Sequence, residues 1–207
     1  MKVTWNGHAC FTLEMDGTTV VLDPYLDNYV PGVGCVNATA DAVFCSHGHN
    51  DHKAAEVVKL TGRTPSIDVE ELHTFHDPEG GALRGTNIIH LFRAEGMKVA
   101  HFGDLGCDPA PELKEKLMNL DVMMIPVGGF YTIDAPAAVR VAELLQARVV
   151  LPMHYKTSAN ASWPIAGVEA YTALCGEPVE FLNLLRVTAG DLACQPASAV
   201  LKPQSIQ

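Results

Sequence analysis

Apolar positions come in short alternating or continuous blocks from the start of the chain. Lys2–Trp5 and Cys10–Glu14 read as strands, Asp16-Gly17 as a hairpin turn, and the β-branched run Thr18–Leu22 as a third strand, ended by Asp23-Pro24. Residues 25–40, rich in Gly, Pro and Asn, read as a surface loop. Asp41–Cys45 is a short apolar strand running directly into Ser46-His47, and Ala54–Leu60 is a short helix closed by Gly62. Strands are predicted over 66–75 and 88–93, with a glycine-containing loop, His76–Asn87, between them. Glu95-Gly96 then turns the chain into Lys98–Phe102. The rest alternates: helix Pro111–Asn119 with proline at its start, strand Val122–Val127, helix Pro136–Gln146, strand Arg148–Pro152 and helix Val168–Cys175 stopped by Gly176. The last ten or so residues read as a ragged tail. Hairpins first and strand–helix alternation after them fit an α/β arrangement of two mixed sheets packed together with helices outside. No linker or internal repeat interrupts the pattern, so one domain over 1–207 is expected.

Composition narrows the function classes. No apolar run is long enough to span a membrane, and the amino-terminal residues lack a signal-peptide pattern, so a cytoplasmic location is expected. With 14 basic and 24 acidic residues the net charge is −10, which argues against electrostatic capture of nucleic acid or an anionic membrane. The six cysteines form no C-x-x-C pair and are expected as reduced, mostly buried thiols.

Histidine is the informative residue: there are nine, and three fall in Ser46–His52, SHGHNDH. His47, His49, Asp51 and His52 follow a buried strand, and Gly48 allows the backbone a tight path. His47 and His49 can meet one ion at about 2.0–2.1 Å, while Asp51 and His52 can reach a second about 3.5–4 Å away. Completion must come from elsewhere. His76, Asp104 and His154 each sit where an apolar strand meets a loop, the place where sites assemble in layered α/β folds.

The chain resembles the metallo-β-lactamase superfamily of binuclear hydrolases. It is most similar to a small single-domain branch of Zn-dependent hydrolases related to the ascorbate-6-phosphate lactonase type. The matching stretches are TWNGHACF, VVLDPY, TFHD..GG..RGTN, HFGDLG, PVGGFYTI and LPMHYKT, within residues 4–157. The resemblance implies the αββα four-layer sandwich. It implies one ion on His47, His49 and His76, a second on Asp51, His52 and His154, and Asp104 bridging them. Asp23 would orient the ligand loop, Asp51 would also orient the proton of the attacking hydroxide, and His8 would contact substrate at the site entrance. His101 would stand behind the ligands, and Tyr155 and Lys156 would reach an anionic group. Gly128-Gly129 would approach the site closely, and Trp163 would pack. Five histidines and two carboxylates suit Zn, with Mn or Fe as alternatives.

The chemistry so implied is hydrolysis of a small ester, lactone or phosphoester, with paired ions lowering the pKa of a water. The competing readings are a phosphodiesterase or nuclease, a di-iron oxidoreductase and a non-catalytic metal-binding protein. The expected partner is a small molecule, with neither nucleic acid nor membrane; the pattern leaves oligomeric state open. The loop at 25–40 and the segment 155–168 are expected to wall the pocket.

Overall fold

Alternation in β1 (Lys2–Gly7) buries Val3, Trp5 and Gly7 and leaves the intervening side chains half-exposed, so the strand has one apolar face. β2 (Cys10–Met15) and β3 (Thr18–Leu22) continue it as an antiparallel meander. β5 (Ala42–Phe44) adds in parallel to β3, and β13 (Leu185–Arg186) pairs antiparallel with β1. The sheet order is β13-β1-β2-β3-β5. A separate parallel pair joins β4 (Thr39–Ala40) to β6 (Lys59–Leu60). This computed structural model describes residues 1–175, 179–194 and 197–204.

The second sheet begins with β7 (Asp68–Phe75), β8 (Thr86–Ala94) and β9 (Met97–His101), paired antiparallel. It continues in parallel through β10 (Val122–Pro126) and β11 (Val149–Met153), then β14 (Ser198–Leu201) and β12 (Val179–Leu182). Every residue of β10 and β11 is buried, as expected for strands covered on both faces.

The main core lies between the sheets. Phe11, Val20 and Leu22 enter it, while Cys10 and Val21 point the other way into a smaller cluster with Tyr25, Val30, Val36, Ala40 and Val58. The outer cover of the first sheet is thus the segment after Asp23 and a single 3₁₀ turn, Ala55–Val57. Longer helices serve the second sheet: α1 (Pro111–Leu117), α2 (Ala135–Leu144) and α3 (Glu169–Thr172). α2 starts where the Asp134 carboxylate accepts from the Ala137 N–H at 2.9 Å, capping an orphan donor. Its buried positions Ala138, Val141 and Ala142 turn one face inward, and the helix packs against β10 and α3.

Strand direction positions the site. β1, β3 and β5 run the same way, and so do β7, β9 and β11. The residues that leave their carboxyl ends are His8, Asp23, Ser46, His76, Asp104 and His154, and contacts among their side chains and with Asp51 and His52 bring these ends together.

Several expectations change. Ala54–Leu60 is a 3₁₀ turn followed by β6, because Lys59 and Leu60 find a strand partner in Thr39 and Ala40. The helix expected over Val168–Cys175 is shorter, and its stop at Gly176 falls outside the described residues. The supposed tail holds β14, whose four residues are buried between β11 and β12; residues 205–207 lie outside the description. β12 and β13 carried no sequence prediction. The cysteines are free, but only Cys10 is buried; Cys35 and Cys194 are exposed and the others partly so. Because Leu201 is 3% exposed within the main core, Leu201→Ala should cost about 2–5 kcal/mol in denaturant unfolding. An unchanged midpoint would return this segment to a loose tail.

Candidate metal centre

A buried carboxylate organises the ligand loop. Asp23 follows β3 with a left-handed φ of 44°. Its Oδ1 accepts from the Ser46 N–H at 2.6 Å, and its Oδ2 accepts from the Ser46 hydroxyl at 2.6 Å and faces His52 Nδ1 at 2.8 Å. Ser46 Oγ in turn lies 2.9 Å from His47 Nδ1. With their Nδ1 atoms so engaged, His47 and His52 present Nε2 to the site. The His52 N–H bonds back to the His49 carbonyl at 3.0 Å and closes the loop on itself.

The imidazoles converge on Asp104. Its Oδ2 lies 3.2 Å from His76 Nε2, 3.2 Å from His154 Nε2, 3.3 Å from His52 Nε2 and 3.9 Å from His47 Nε2. His49 Nδ1 is 3.0 Å from His47 Nε2, and Asp51 Oδ2 is 3.7 Å from His52 Nε2. Among the described residues, three donor groups have ligand atoms within 4.8 Å of one another: His47, His49 and His76; Asp51, His52 and His154 with His8; and Asp23 with His47 and His52, where the Asp23 carboxylate is already taken up by Ser46 and His52 Nδ1. The structure thus brings together all seven residues proposed as ligands.

These residues fit a metal. Asp104 Oδ1 is buried without a hydrogen-bond partner among the described residues, although a buried carboxylate oxygen demands one. Burial favours a neutral His52 ring, yet the Asp104 and Asp23 carboxylates outweigh it and raise its pKa well above the ordinary histidine value. Two carboxylates aimed at one imidazole call for positive charge there, as a proton or as a cation. Burial is also the main cause that lowers His47 to about 3, aided by neighbouring His52, which leaves its ring neutral and able to ligate. Burial alone would raise Asp104, but His154 and His52 hold it well below the usual carboxylate range.

Close backbone approaches set the spacing. A Cβ on Gly106 would lie 2.1 Å from the His76 carbonyl carbon, and one on Gly128 would lie 2.2 Å from the His154 oxygen. Both positions therefore exclude any side chain. His154 itself has a left-handed φ of 52° and His8 one of 55°; such conformations in residues other than glycine cost about 1–3 kcal/mol each and cluster at functional sites.

The remaining expectations divide. His8 is buried at the β1–β2 hairpin tip, with its Nε2 3.3 Å from Asp51 Oδ2 and its carbonyl bonded by Trp5 Nε1 at 2.9 Å. It stands behind Asp51 and does not line the cavity, contrary to the expected entrance position. Burial lowers its pKa to about 4 and keeps the ring neutral. His101 is also buried, with Nε2 donating to the Ala9 carbonyl at 2.8 Å and Nδ1 accepting from the Gly103 N–H at 3.3 Å. It thereby ties the hairpin tip to the Asp104 loop. Tyr155 is buried against Trp5 at 5.2 Å between ring centroids, and neither Tyr155 nor Lys156 reaches the cavity wall. The cavity, about 680 Å³, opens over Asp51, Asp104 and His154 and is flanked by Tyr29, Tyr131, Trp163 and Arg84. Tyr29 and Trp163 come from the two segments expected to wall it. Arg84 and Tyr131 were missed as cavity residues, although both lie in stretches that carried the resemblance.

Comparison with known proteins agrees with this geometry. A family model described as the beta-lactamase superfamily domain matches residues 2–154. A UPF0173 metal-dependent hydrolase of Archaeoglobus fulgidus is 31% identical over 76% of this chain and 84% of its own. One from Thermoplasma volcanium is 27% identical over 89% and 91%. A solved structure from Thermotoga maritima, described as a proposed Zn-dependent hydrolase of the metallo-β-lactamase superfamily, is 36% identical, covers 97% of each chain and has a TM-score of 0.74. With the matched region running from the first strand to His154, this chain belongs to the beta-lactamase superfamily and has the metallo-β-lactamase fold.

Proposed function

We propose that the chain is a metal-dependent hydrolase with a binuclear centre, acting on a small ester, lactone or phosphoester. The observation that carries this reading is the convergence of four imidazoles on one Asp104 oxygen, with His49 and Asp51 completing two of the donor groups. His47, His49 and His76 would hold one divalent ion, and Asp51, His52 and His154 the other, with Asp104 between them. The donor set suits zinc, and manganese or iron could also bind. Such ions would lower the pKa of a water towards neutrality and offset charge developing on the substrate.

The chain's own residues do the rest. Asp51, at the cavity wall, would orient the attacking hydroxide by accepting a hydrogen bond from it at a carboxylate oxygen. His8, kept neutral by burial, holds Asp51 from behind and acts as a positioning residue. Asp23 and Ser46 fix the tautomers of His52 and His47. A cavity of about 680 Å³ over the site suits a small molecule. A nucleic-acid substrate fits poorly with a net charge of −10 and a single Lys or Arg on the cavity wall among the described residues.

Elemental analysis of protein purified without chelator or nickel affinity should find about two ions per chain; one or none after reconstitution with each metal would overturn the binuclear centre. His49→Ala should abolish hydrolysis across a panel of nitrophenyl esters and phosphoesters and lower metal content, with an unchanged circular dichroism spectrum. Full activity in that variant contradicts the assignment.

Asp23→Asn keeps the shape but replaces one acceptor oxygen with an amide donor facing Ser46 or His52. Metal affinity measured by chelator competition should fall by roughly 10- to 100-fold. Native affinity would mean that Asp23 does not orient the ligands.

A further inference from the structure

Arg84 has no carboxylate partner among the described residues. It sits in the loop between β7 and β8, directly beyond the His76 ligand position. Asp77 builds that loop: Oδ1 accepts from the N–H groups of Glu79 and Gly81 at 2.8 and 3.0 Å, and Oδ2 from those of Leu83 and Arg84 at 3.1 and 2.7 Å. The buried carboxylate is consumed by backbone donors, and the Arg84 side chain is turned away from it. One guanidinium nitrogen donates to the Phe130 carbonyl at 3.1 Å, and the group lies 5.9 Å from the centre of the Tyr131 ring. No acid comes within ion-pair distance of Arg84 among the described residues. Arg63, Arg93 and Arg148 each lie against a carboxylate; Arg140 and Arg186 share with Arg84 the lack of an ion pair among the described residues, but of the six arginines Arg84 alone lines the cavity. Arg84 therefore faces the cavity that Asp51 and Asp104 also line, without an ion pair to either.

A guanidinium has five N–H donors in a rigid plane, and among the described residues only one of them is bonded. The free edge matches two oxygens of a carboxylate or phosphate. The distant negative charge of the chain is screened beyond about 8–10 Å, so local groups decide what enters. Two divalent ions would exceed the charge of Asp51 and Asp104 and leave the cavity positive.

We propose that Arg84 is the specificity-determining residue of this cavity and that the substrate is a small anion. It would carry a carboxylate or phosphate group apart from the bond to be hydrolysed, with that group seated on Arg84. This rests on the hydrolase reading above and adds the substrate's charge and where it is bound.

The test uses metal-loaded protein and two esters of equal acyl length, mono-p-nitrophenyl succinate and p-nitrophenyl butyrate. The wild type should favour the anionic ester in kcat/KM. Arg84→Met should lower the anionic-to-neutral ratio by roughly 10- to 100-fold, the loss expected for a charge-assisted hydrogen bond, and Arg84→Lys should restore part of it. An unchanged ratio, or no preference in the wild type, overturns the proposal while leaving hydrolysis standing. If neither ester turns over, the hydrolase reading is left to the wider ester and phosphoester panel above, and binding decides this proposal. Trp163 lines the cavity whereas Trp5 is buried, so tryptophan fluorescence can follow titration with phenylphosphonate and with phenylacetate. Weaker binding of either by Arg84→Met supports the proposal, and the tighter of the two separates a phosphate from a carboxylate substrate. Equal affinity in both proteins, or no binding at all, overturns it.

Discussion

The centre depends on one buried carboxylate that would take part in no chemistry itself. Removing a charge from water costs several kcal/mol unless hydrogen bonds and opposite charge replace the solvent. Asp23 obtains that replacement from the Ser46 N–H, the Ser46 hydroxyl and His52. The same three contacts join the end of β3 to the loop after β5, which is its parallel neighbour. Burial of the charge and placement of the ligands are therefore one event. The loop cannot shift without leaving Asp23 unpaired, so the cost of burial becomes the rigidity of the site.

The legible parts of the sequence were those in which one local pattern coincided with one structural role. The β1–β3 meander shows alternation and a turn signal, and β10 and β11 are continuous apolar runs covered on both faces. The donors in SHGHNDH stood out because four ligand-type residues fall within six positions of a single loop. β14 was illegible because SAVL is only four residues long and its burial comes from β11 and β12, not from a pattern of its own. β12 alternates weakly, with Glu180 and Phe181 exposed, and lies at a sheet edge. The stretch Ala54–Leu60 had apolar spacing suited to a helix, but pairing with Thr39 and Ala40 outweighed it.

Within the site, the proposed ligands, Asp23 and two wall segments were readable, while the placement of Arg84 and of His8 was not. Arg84 is a single arginine in a glycine-containing loop, where spacing says nothing of where a side chain points. Its placement arises from Asp77, whose carboxylate gathers four N–H groups from residues after it in the chain. The position of His8 likewise depends on a left-handed hairpin tip and on the long-range contact of its ring with Asp51. Both lie beyond periodicity, because both are set by partners distant in the sequence or by backbone geometry.

The strand order of the second sheet bears on how the molecule is made. β14 separates β11 from β12, yet the ribosome synthesises it after both. Until Ser198–Leu201 has emerged, β11 has an open parallel edge and β12 has no neighbour to pair with among the described strands. Every proposed ligand precedes that moment. A nascent chain could therefore present the complete donor set while its sheet is still unfinished, and an apolar edge of this kind is where unfinished chains pair with one another.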